Sequence, residues 1–378
     1  MPAIDTIALL RRLVAIDSTS SRSNVPVLDV LEETLRGIGF SARRMSWRDA
    51  AGVEKQNLIA RRGPDRPGGL ALVGHTDCVP FDPDWAGALA GELQGDTLVG
   101  RGAADTKSFL AVAVAAAAST PELSLPLQVI ATADEEVGCL GAKRLVQEGL
   151  VRPAQAIIGE PTRLIPVRAH KGYCFAEIEL TGIEAHSAYP DLGASAILGA
   201  GRLLTALEEI QGVIAHDQNA LFTPPYTTLN VGLIRGGKAK NVIPGSCVLT
   251  LEWRPIPGQD VRHVLSLVEE ACANVVSGFE GRLQAAVRPS RLDSGVSVPA
   301  DAELVRFIEN ESGHPAETIP FGTELPQVTA LGAEACVFGP GDIRVAHRTG
   351  EFVPLEDLRV AEGILATAIR RFCGPRGD

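Results

Sequence analysis

Histidine and acidic residues follow four short apolar segments of this chain, each at the point where the segment ends. They are His75 and Asp77 after residues 70–74, Glu135 and Glu136 after 127–132, Glu160 after 156–159, and His347 after 335–338. Short apolar segments bounded by turn residues are typical of buried strands in a parallel sheet. The carboxyl ends of such strands meet at one edge, where ligands and catalytic groups gather. Imidazole and carboxylate groups brought together there predict a metal site.

The spacing around two of the aspartates indicates what they do. His75 and Asp77 are two residues apart, so on an extended chain their side chains point to the same side. The Asp77 carboxylate can then accept the spare imidazole N–H and orient the ring for metal ligation. Asp105 follows a glycine-rich stretch and precedes a predicted helix over 107–118. From the residues alone, Asp105 is either the N-terminal cap of that helix or a ligand that bridges two ions.

The remaining candidates each have a plain alternative. Glu135 and Glu136 are adjacent, and adjacent side chains usually diverge, so we expect one to face a metal ion and the other to face the substrate. Taken singly, the two could instead lie in a solvated loop, Glu160 could be a turn residue, and His347 could be structural. The combination of these groups at four strand ends favours the metal site.

The elements that must position these residues fall into two patterns. The length of 378 residues exceeds the usual single-domain ceiling, so two domains are expected. Up to about residue 172, amphipathic helical segments alternate with apolar strands, which predicts an α/β domain. These predicted helices are 6–15, 28–37 and 107–118.

From Tyr173 the pattern alternates, with one predicted face made of Cys174, Ala176, Ile178 and Leu180. Such alternation is typical of a half-buried antiparallel strand. The predicted elements that follow are a helix (194–210), two strands (226–235 and 246–254), a helix (259–275) and a strand (282–289). The order β-α-β-β-α-β is that of a split ferredoxin-like unit.

The two patterns together predict an inserted domain. From about residue 291 the chain returns to α/β character and reaches His347. We therefore expect a mostly parallel-sheet α/β catalytic domain made of 1–172 and 291–378. A ferredoxin-like α+β domain of 173–290 is inserted between these two parts.

Composition narrows the class of protein. The net charge is −11 and no basic run is present, which argues against nucleic-acid binding. The N-terminal residues do not resemble a signal peptide, and no apolar stretch reaches 18 residues, so neither secretion nor a membrane partner is expected. The seven cysteines form no CxxC pair and lie mostly in apolar segments, as expected for reduced thiols in a cytoplasmic protein.

Three competing functions fit the residues less well. Residues 232–238 nearly match a phosphate-binding loop, but Ala239 replaces the required Ser or Thr. The chain has no Gly-x-Ser-x-Gly motif, which argues against a serine hydrolase. A non-catalytic zinc-binding protein would not need Glu135, since five other groups suffice to hold metal ions.

Five ordered motifs resemble those of the acetylornithine deacetylase, succinyl-diaminopimelate desuccinylase and glutamate carboxypeptidase family. They are GHTDCVP (74–80), GRGAADTK (100–107), DEEVG (134–138), GEPT (159–162), and GPGD (339–342) followed by Ala346-His347. The resemblance covers essentially the whole chain. It implies a dinuclear zinc amide hydrolase, in which cobalt or manganese can substitute, with an inserted lid domain that forms a homodimer.

The resemblance also implies a role for each matching residue. His75 and Glu160 complete one zinc site, Glu136 and His347 complete the other, and Asp105 bridges the two ions. Glu135 matches the general base, and Asp77 matches the residue that orients His75. In the inserted domain, His186 matches a histidine that reaches the active site of a neighbouring subunit. Asn241 and Arg254 match substrate-binding positions.

Details of the motifs bear on the substrate. Ser108 stands where the family commonly has Gly, and Arg348-Thr349 stands where Lys-Pro is common. Residues 253–257 and 321–324 resemble acetylornithine deacetylases more than desuccinylases, and Glu324 is expected to meet a cationic side chain such as that of ornithine. The expected reaction is hydrolysis of an N-acyl amino acid, first N-acetylornithine in arginine biosynthesis. N-succinyl-diaminopimelate and other N-acyl amino acids are the alternatives.

Overall fold

The computed structural model describes residues 3–120 and 122–375. The helices of these residues are α1 (Thr6–Val14), α2 (Val25–Gly37), α3 (Lys107–Ala118), α4 (Leu140–Glu148), α5 (Ala196–Ile214), α6 (Arg262–Ser277), α7 (Glu303–Ser312), α8 (Leu325–Ala330) and α9 (Leu355–Cys373). The strands are β1 (Ser41–Arg48), β2 (Glu54–Arg62), β3 (Leu70–His75), β4 (Glu92–Gln94), β5 (Thr97–Val99), β6 (Leu127–Thr132), β7 (Gln155–Ile158), β8 (Val167–His170), β9 (Tyr173–Thr181), β10 (Ala185–His186), β11 (Thr228–Gly236), β12 (Val242–Ile243), β13 (Ser246–Arg254), β14 (Gln284–Asp293), β15 (Val296–Ser297), β16 (Glu317–Ile319), β17 (Glu334–Val337) and β18 (Phe352–Pro354).

The chain forms two compact units. The first unit comprises the described parts of Met1–Arg168, Val298–Glu317 and Thr323–Asp378. The second comprises Ala169–Ser297 and Thr318–Gly322. In the described ranges, no helix is both long and apolar enough to cross a bilayer.

The first unit is built on a mixed sheet with the strand order β1-β2-β6-β3-β7-β17-β8. Its four central strands, β6, β3, β7 and β17, run parallel to one another, whereas β2 pairs antiparallel with β6 and with β1 at one side and β8 pairs antiparallel with β17 at the other. Every residue of β3 and β6 is buried. These four parallel strands are the four apolar segments that precede the histidine and acidic residues. The predicted parallel arrangement is therefore confirmed, and all four strands end at one edge, here called the carboxyl edge.

Helix α3 begins directly at this edge and is buried along its whole length. A helix that is apolar on all sides has to be enclosed, and α3 packs against β3, α1 and α9. Its observed range matches the predicted range of 107–118. Helix α2 begins earlier than predicted, at Val25, because Pro26 suits the first turn of a helix.

The second unit has the predicted β-α-β-β-α-β order in β9, α5, β11, β13, α6 and β14. Its sheet is antiparallel with the order β11-β13-β9-β14. Cys174, Ala176, Ile178 and Leu180 all lie in the core under α5 and α6, as the alternation predicts. Helix α5 begins two residues later than predicted because the Ser195 side chain caps it, accepting a hydrogen bond from the Leu198 N–H.

We predict that Gly159→Ala destabilises the first unit. Gly159 joins β7 to Glu160, and a Cβ atom there would lie 2.1 Å from Phe109 Cγ of α3. Overpacking of this kind typically costs roughly 1–3 kcal/mol of unfolding free energy. The measurement is equilibrium unfolding in urea.

A matched control is Gly363→Ala in α9, where a Cβ atom has no neighbour within 4 Å. Alanine is the better helix former by roughly 0.5–1 kcal/mol, so this variant should be at least as stable as the parent. Equal stability of the Gly159 variant and the parent would contradict the close approach of α3 to β7.

Candidate metal centre at the carboxyl edge

The Asp105 carboxylate lies between two histidines. Its Oδ1 is 2.9 Å from His75 Nε2, and its Oδ2 is 3.2 Å from His347 Nε2. The same His347 Nε2 lies 3.1 Å from Glu136 Oε1. Donor atoms of His75, Asp105 and Glu136 all fall within 4.8 Å of one another. The arrangement has two halves that share Asp105.

This geometry decides between the two interpretations of Asp105. The N-cap residue of α3 is Thr106, and no side chain makes the capping hydrogen bond. Asp105 instead directs both carboxylate oxygens towards imidazoles. The structure therefore excludes the helix cap and places the two carboxylate oxygens of Asp105 against the two histidines.

Crowded negative charge dominates the electrostatics of the centre. Burial, together with the charges of Asp105 and Glu135, raises the pKa of Glu160 well above its usual range. Burial also raises the pKa of Glu135 to about 8, and the charge of Glu136 adds to the effect. Hydrogen bonds to Asp105 and Glu136 raise the pKa of His347 to about 10. Acidic groups packed this densely need cations close by.

Divalent metal ions fit this donor set. Imidazole nitrogen and carboxylate oxygen are typical zinc ligands, with bonds of about 2.0–2.2 Å, so two ligands of one ion lie roughly 3 Å apart. The distances of 2.9, 3.1 and 3.2 Å around Asp105 are of that size. Glu160, buried at the end of β7, adds a carboxylate whose charge interacts with His75 and Asp105.

Asp77 contacts both His75 and the turn that bears Glu135 and Glu136. Nδ1 of His75 lies 3.0 Å from the Asp77 carbonyl oxygen and 3.6 Å from its carboxylate, so both oxygens face the ring and the carbonyl is the nearer acceptor. The carboxylate accepts hydrogen bonds from the N–H groups of Glu135 and Glu136, at 3.0 and 3.3 Å, and from the Ser20 hydroxyl. Asp77 thus fixes the ring of His75 and the turn that follows β6.

The two adjacent glutamates point to different partners, as their adjacency predicts. Glu136 reaches His347, whereas Glu135 Oε1 accepts a hydrogen bond from the Cys139 thiol at 3.4 Å. Both side chains are half-buried. Glu135 therefore lies next to the group formed by His75, Asp105 and Glu136, here called the donor cluster, but does not contact a histidine as Glu136 does.

Residues of β2 that sequence reasoning missed hold this turn in place. Lys55 Nζ forms a buried ion pair with Asp134 at 2.6 Å, and Asp134 has a left-handed backbone (φ 58°) that is uncommon outside glycine. The Asn57 side chain accepts a hydrogen bond from the Ala133 N–H and donates one to the Gly141 carbonyl. The available signal was a run of four polar residues, 54–57, directly before the apolar residues 58–60 of β2.

Glu324 is buried beside Thr132 at the end of β6, and its charge acts on Glu135. Its side chain is 0% exposed, and its Oε2 accepts a hydrogen bond from the Thr132 hydroxyl at 3.0 Å. Burial raises its pKa to about 7. The contact of Glu324 with a cationic substrate side chain stays a prediction.

The other predicted substrate residues belong to the second unit. His186 is exposed on β10, beside Asn241, whose carbonyl accepts a hydrogen bond from the Ser187 N–H. The His186 Nδ1 accepts one from the Ala188 N–H, so a neutral ring carries its proton on Nε2. Arg254 donates to Glu252 at 2.6 Å and to the Pro320 carbonyl at 3.1 Å.

Comparison with known proteins agrees with the two-unit architecture. Residues 168–279 match the family model described as peptidase dimerisation domain, and residues 57–159 match that of peptidase family M28. The chain is 55% identical over 372 residues to an acetylornithine deacetylase from Myxococcus xanthus, covering 98% of both chains. It is 36% identical to an acetylornithine deacetylase from Proteus mirabilis, covering 97% of this chain and 96% of that one.

Solved structures share the fold at low sequence identity. A tripeptidase from Staphylococcus aureus superposes with a TM-score of 0.77 at 19% identity, covering 98% of this chain and 99% of that one. A dinuclear metal-binding peptidase of the M20 family from Bacillus subtilis superposes with a TM-score of 0.69 at 15% identity, covering 97% of both chains.

Proposed function

The chain belongs to the M20 family of metal-dependent hydrolases, and on that premise we propose that it removes the acyl group from N-acyl amino acids, with N-acetylornithine as the preferred substrate. The observation that carries the reaction type is the Asp105 carboxylate shared between His75 and His347. The substrate is inferred from the 55% identity to an acetylornithine deacetylase over 98% of both chains. N-succinyl-diaminopimelate and other N-acyl amino acids remain the alternative substrates.

We propose two zinc ions per chain, for which cobalt or manganese could substitute. His75 and Glu160 would hold one ion, Glu136 and His347 would hold the other, and Asp105 would be shared. When bound, such ions lower the pKa of a water molecule to about 7 and polarise the amide carbonyl.

Glu135 is proposed as the general base. Asp77 fixes its backbone N–H, so the carboxylate is held beside the donor cluster. In the reaction, Glu135 takes a proton from the attacking water and passes it to the leaving amine. A non-catalytic metal-binding protein would have no use for such a group.

The direct test is turnover by the purified protein on a panel of N-acyl amino acids. N-acetylornithine should be hydrolysed with the highest kcat/KM, and a strong chelator should abolish the activity. Higher kcat/KM for N-succinyl-diaminopimelate would reject the proposed substrate and keep the reaction type. No hydrolysis of any amide by the metal-loaded protein would reject both.

Variants of the two adjacent glutamates should separate catalysis from metal binding. Glu135→Gln should abolish turnover with nearly unchanged metal content, because the amide cannot take the proton. Glu136→Gln should instead lower metal occupancy. Metal content is measured by elemental analysis after gel filtration, alongside kcat. Near-normal turnover by the Glu135 variant would show that the base is another residue.

We propose that the chain forms a homodimer through the second unit. Strand β11 is an edge strand, and its Leu233 and Ile234 are exposed, as are Ile197 and Leu198 of α5. Unpaired edge strands readily pair with another chain, and twofold dimers are the commonest symmetric assembly. The match of residues 168–279 to a dimerisation domain supports this surface.

We expect Leu233→Lys to weaken the dimer, because it places a charge on this apolar surface. Leu93→Lys is the matched control, since Leu93 is 51% exposed on β4 of the first unit and Leu233 is 53% exposed. Sedimentation equilibrium measures the dissociation constant. A dimer that is weakened by the control and not by the Leu233 variant would place the interface elsewhere.

We further propose that His186 completes the active site of the partner subunit. Mixing His186→Ala chains with Glu135→Gln chains then restores one working site in each mixed dimer. Equal mixing should recover about a quarter of the parent activity, because half of randomly paired dimers are mixed and one site in each works. Native mass spectrometry verifies exchange. Mixed dimers without activity would show that His186 does not act across the interface.

Arg254 is proposed to bind the substrate α-carboxylate, with Asn241 donating to the developing oxyanion. The Arg254 guanidinium donates to Glu252 and to the Pro320 carbonyl and lies 4.2 Å from the Tyr173 ring centroid, so its planar donor group is held in place to meet a carboxylate. Loss of the hydrogen bonds between Arg254 and the substrate carboxylate typically costs a few kcal/mol of transition-state stabilisation. Arg254→Ala should therefore lower kcat/KM by roughly a hundredfold or more.

Substrate amidation checks the assignment of Arg254. Amidating the α-carboxylate should lower kcat/KM of the parent about as much as Arg254→Ala does. The kcat/KM of the Arg254→Ala variant should change little when the substrate is amidated. Arg288→Ala removes an exposed arginine from the same unit and should keep the full sensitivity to amidation. If the parent and the Arg254 variant were equally sensitive, Arg254 would serve only its ion pair with Glu252.

A further inference from the structure

Glu351 is a buried acid that makes no contact with the metal-site histidines and yet is bonded to the loop that bears Asp105. Its Oε1 accepts hydrogen bonds from the backbone N–H groups of Ala104 and Asp105, at 3.0 and 3.1 Å. Its Oε2 forms a buried ion pair with Arg101 Nη1 at 2.6 Å. One carboxylate thus holds both ends of the loop 101–105.

The main chain around Glu351 is tied to the same loop. The Glu351 carbonyl accepts a hydrogen bond from the Gly100 N–H at 2.9 Å, and the next residue, Phe352, pairs with Val99 in the β18–β5 ladder. His347 lies four residues before Glu351. The segments that supply Asp105 and His347 are therefore joined at this residue.

We propose that Glu351 is a positioning residue for the metal centre, holding the Asp105 backbone so that one carboxylate reaches both imidazoles. An aspartate side chain is short, so the position of its backbone decides where its two oxygens lie. Groups that orient metal ligands in this way typically contribute 10–100-fold to metal affinity or activity. The inference rests on the proposed metal centre.

Arg101 gives Glu351 a cationic partner among the acids of this edge. Its guanidinium lies over the Trp85 ring, with 5.4 Å from Cζ to the ring centroid, and its Nη2 donates to the Pro80 carbonyl. A buried carboxylate accepts backbone N–H groups best when ionised, and Arg101 balances that charge. The pair thereby supplies a fixed acceptor to the Asp105 loop.

The experiment measures metal binding rather than turnover. Metal-free parent, Glu351→Ala and Glu351→Gln proteins are titrated with Zn²⁺ by calorimetry, and the melting temperature is recorded with and without metal. Glu334→Ala is the matched control. Glu334 also accepts a backbone N–H, that of Leu304 in the first turn of α7, but it lies at the start of β17, away from His75, Asp105 and Glu136.

Glu351→Ala should weaken at least one zinc-binding step roughly tenfold to a hundredfold. The zinc affinity of Glu351→Gln should lie between those of Glu351→Ala and the parent, because the amide keeps an acceptor oxygen but presents a donor to Arg101. The melting-temperature gain on metal binding should shrink in both and stay unchanged in Glu334→Ala.

Parent-like zinc affinity and melting-temperature gain in both Glu351 variants would overturn the inference. If Glu351→Ala does not fold, Glu351→Gln decides alone, since it changes one atom. A purely structural role would lower the melting temperatures with and without metal equally, and that result also rejects the proposal. A parent protein that binds no zinc would instead reject the metal centre itself.

Discussion

Electrostatic repulsion among closely packed acids, buried or half-buried, is the constraint on which this structure depends. Asp77, Asp105, Glu135, Glu136 and Glu160 converge where four parallel strands end, with two histidines among them. Asp105 relieves part of the repulsion by facing His75 and His347 at once. Burial raises the pKa of Asp105, yet hydrogen bonds from the two imidazoles outweigh it and hold that pKa below its usual range. Such an arrangement favours binding of divalent cations, because they compensate charges that the protein alone balances only in part.

The scaffold around this charge is rigid for identifiable reasons. Parallel strands β3 and β6 are buried throughout. Helix α3, which is also buried along its whole length, begins two residues after Asp105 and so anchors the loop that bears it. The turn after β6 is held by Lys55, Asn57 and Asp77 in addition to its own backbone hydrogen bonds. Ligand positions therefore depend on packing and hydrogen bonds that lie outside the centre itself.

Local pattern was enough to predict the strands and the residues that follow them. The apolar segments before His75 and Glu160 proved to be adjacent parallel strands, and the alternation from Tyr173 identified the ferredoxin-like unit. Pattern could not decide between a cap and a ligand for Asp105, because a residue before a helix can be either. The structure shows that Thr106 is the N-cap and that the Asp105 carboxylate faces both histidines. The burial of Glu324 could not be predicted for a similar reason, since none of its neighbours in sequence indicates that it packs beside Thr132.

Lys55 and Glu351 show a second limit of prediction from the sequence. Each is a charged residue near a strand end, where exposure is the ordinary expectation, and each is buried by a partner distant in sequence. Their importance comes from pairing with Asp134 and Arg101, which no local window contains. Such pairs become visible only when the tertiary fold is known.

The pairing of β17 with β7 has a consequence for how the protein is made. The whole second unit is synthesised between these two neighbouring strands, so a ribosome-bound chain reaches β7 long before β17 exists. Until then one side of β7 is an open edge, and His347 has not joined the acids already assembled. Non-local strand pairing of this kind slows folding and leaves intermediates exposed to aggregation. Strand β17, and the histidine segment after it, close the sheet and balance its charge late in synthesis.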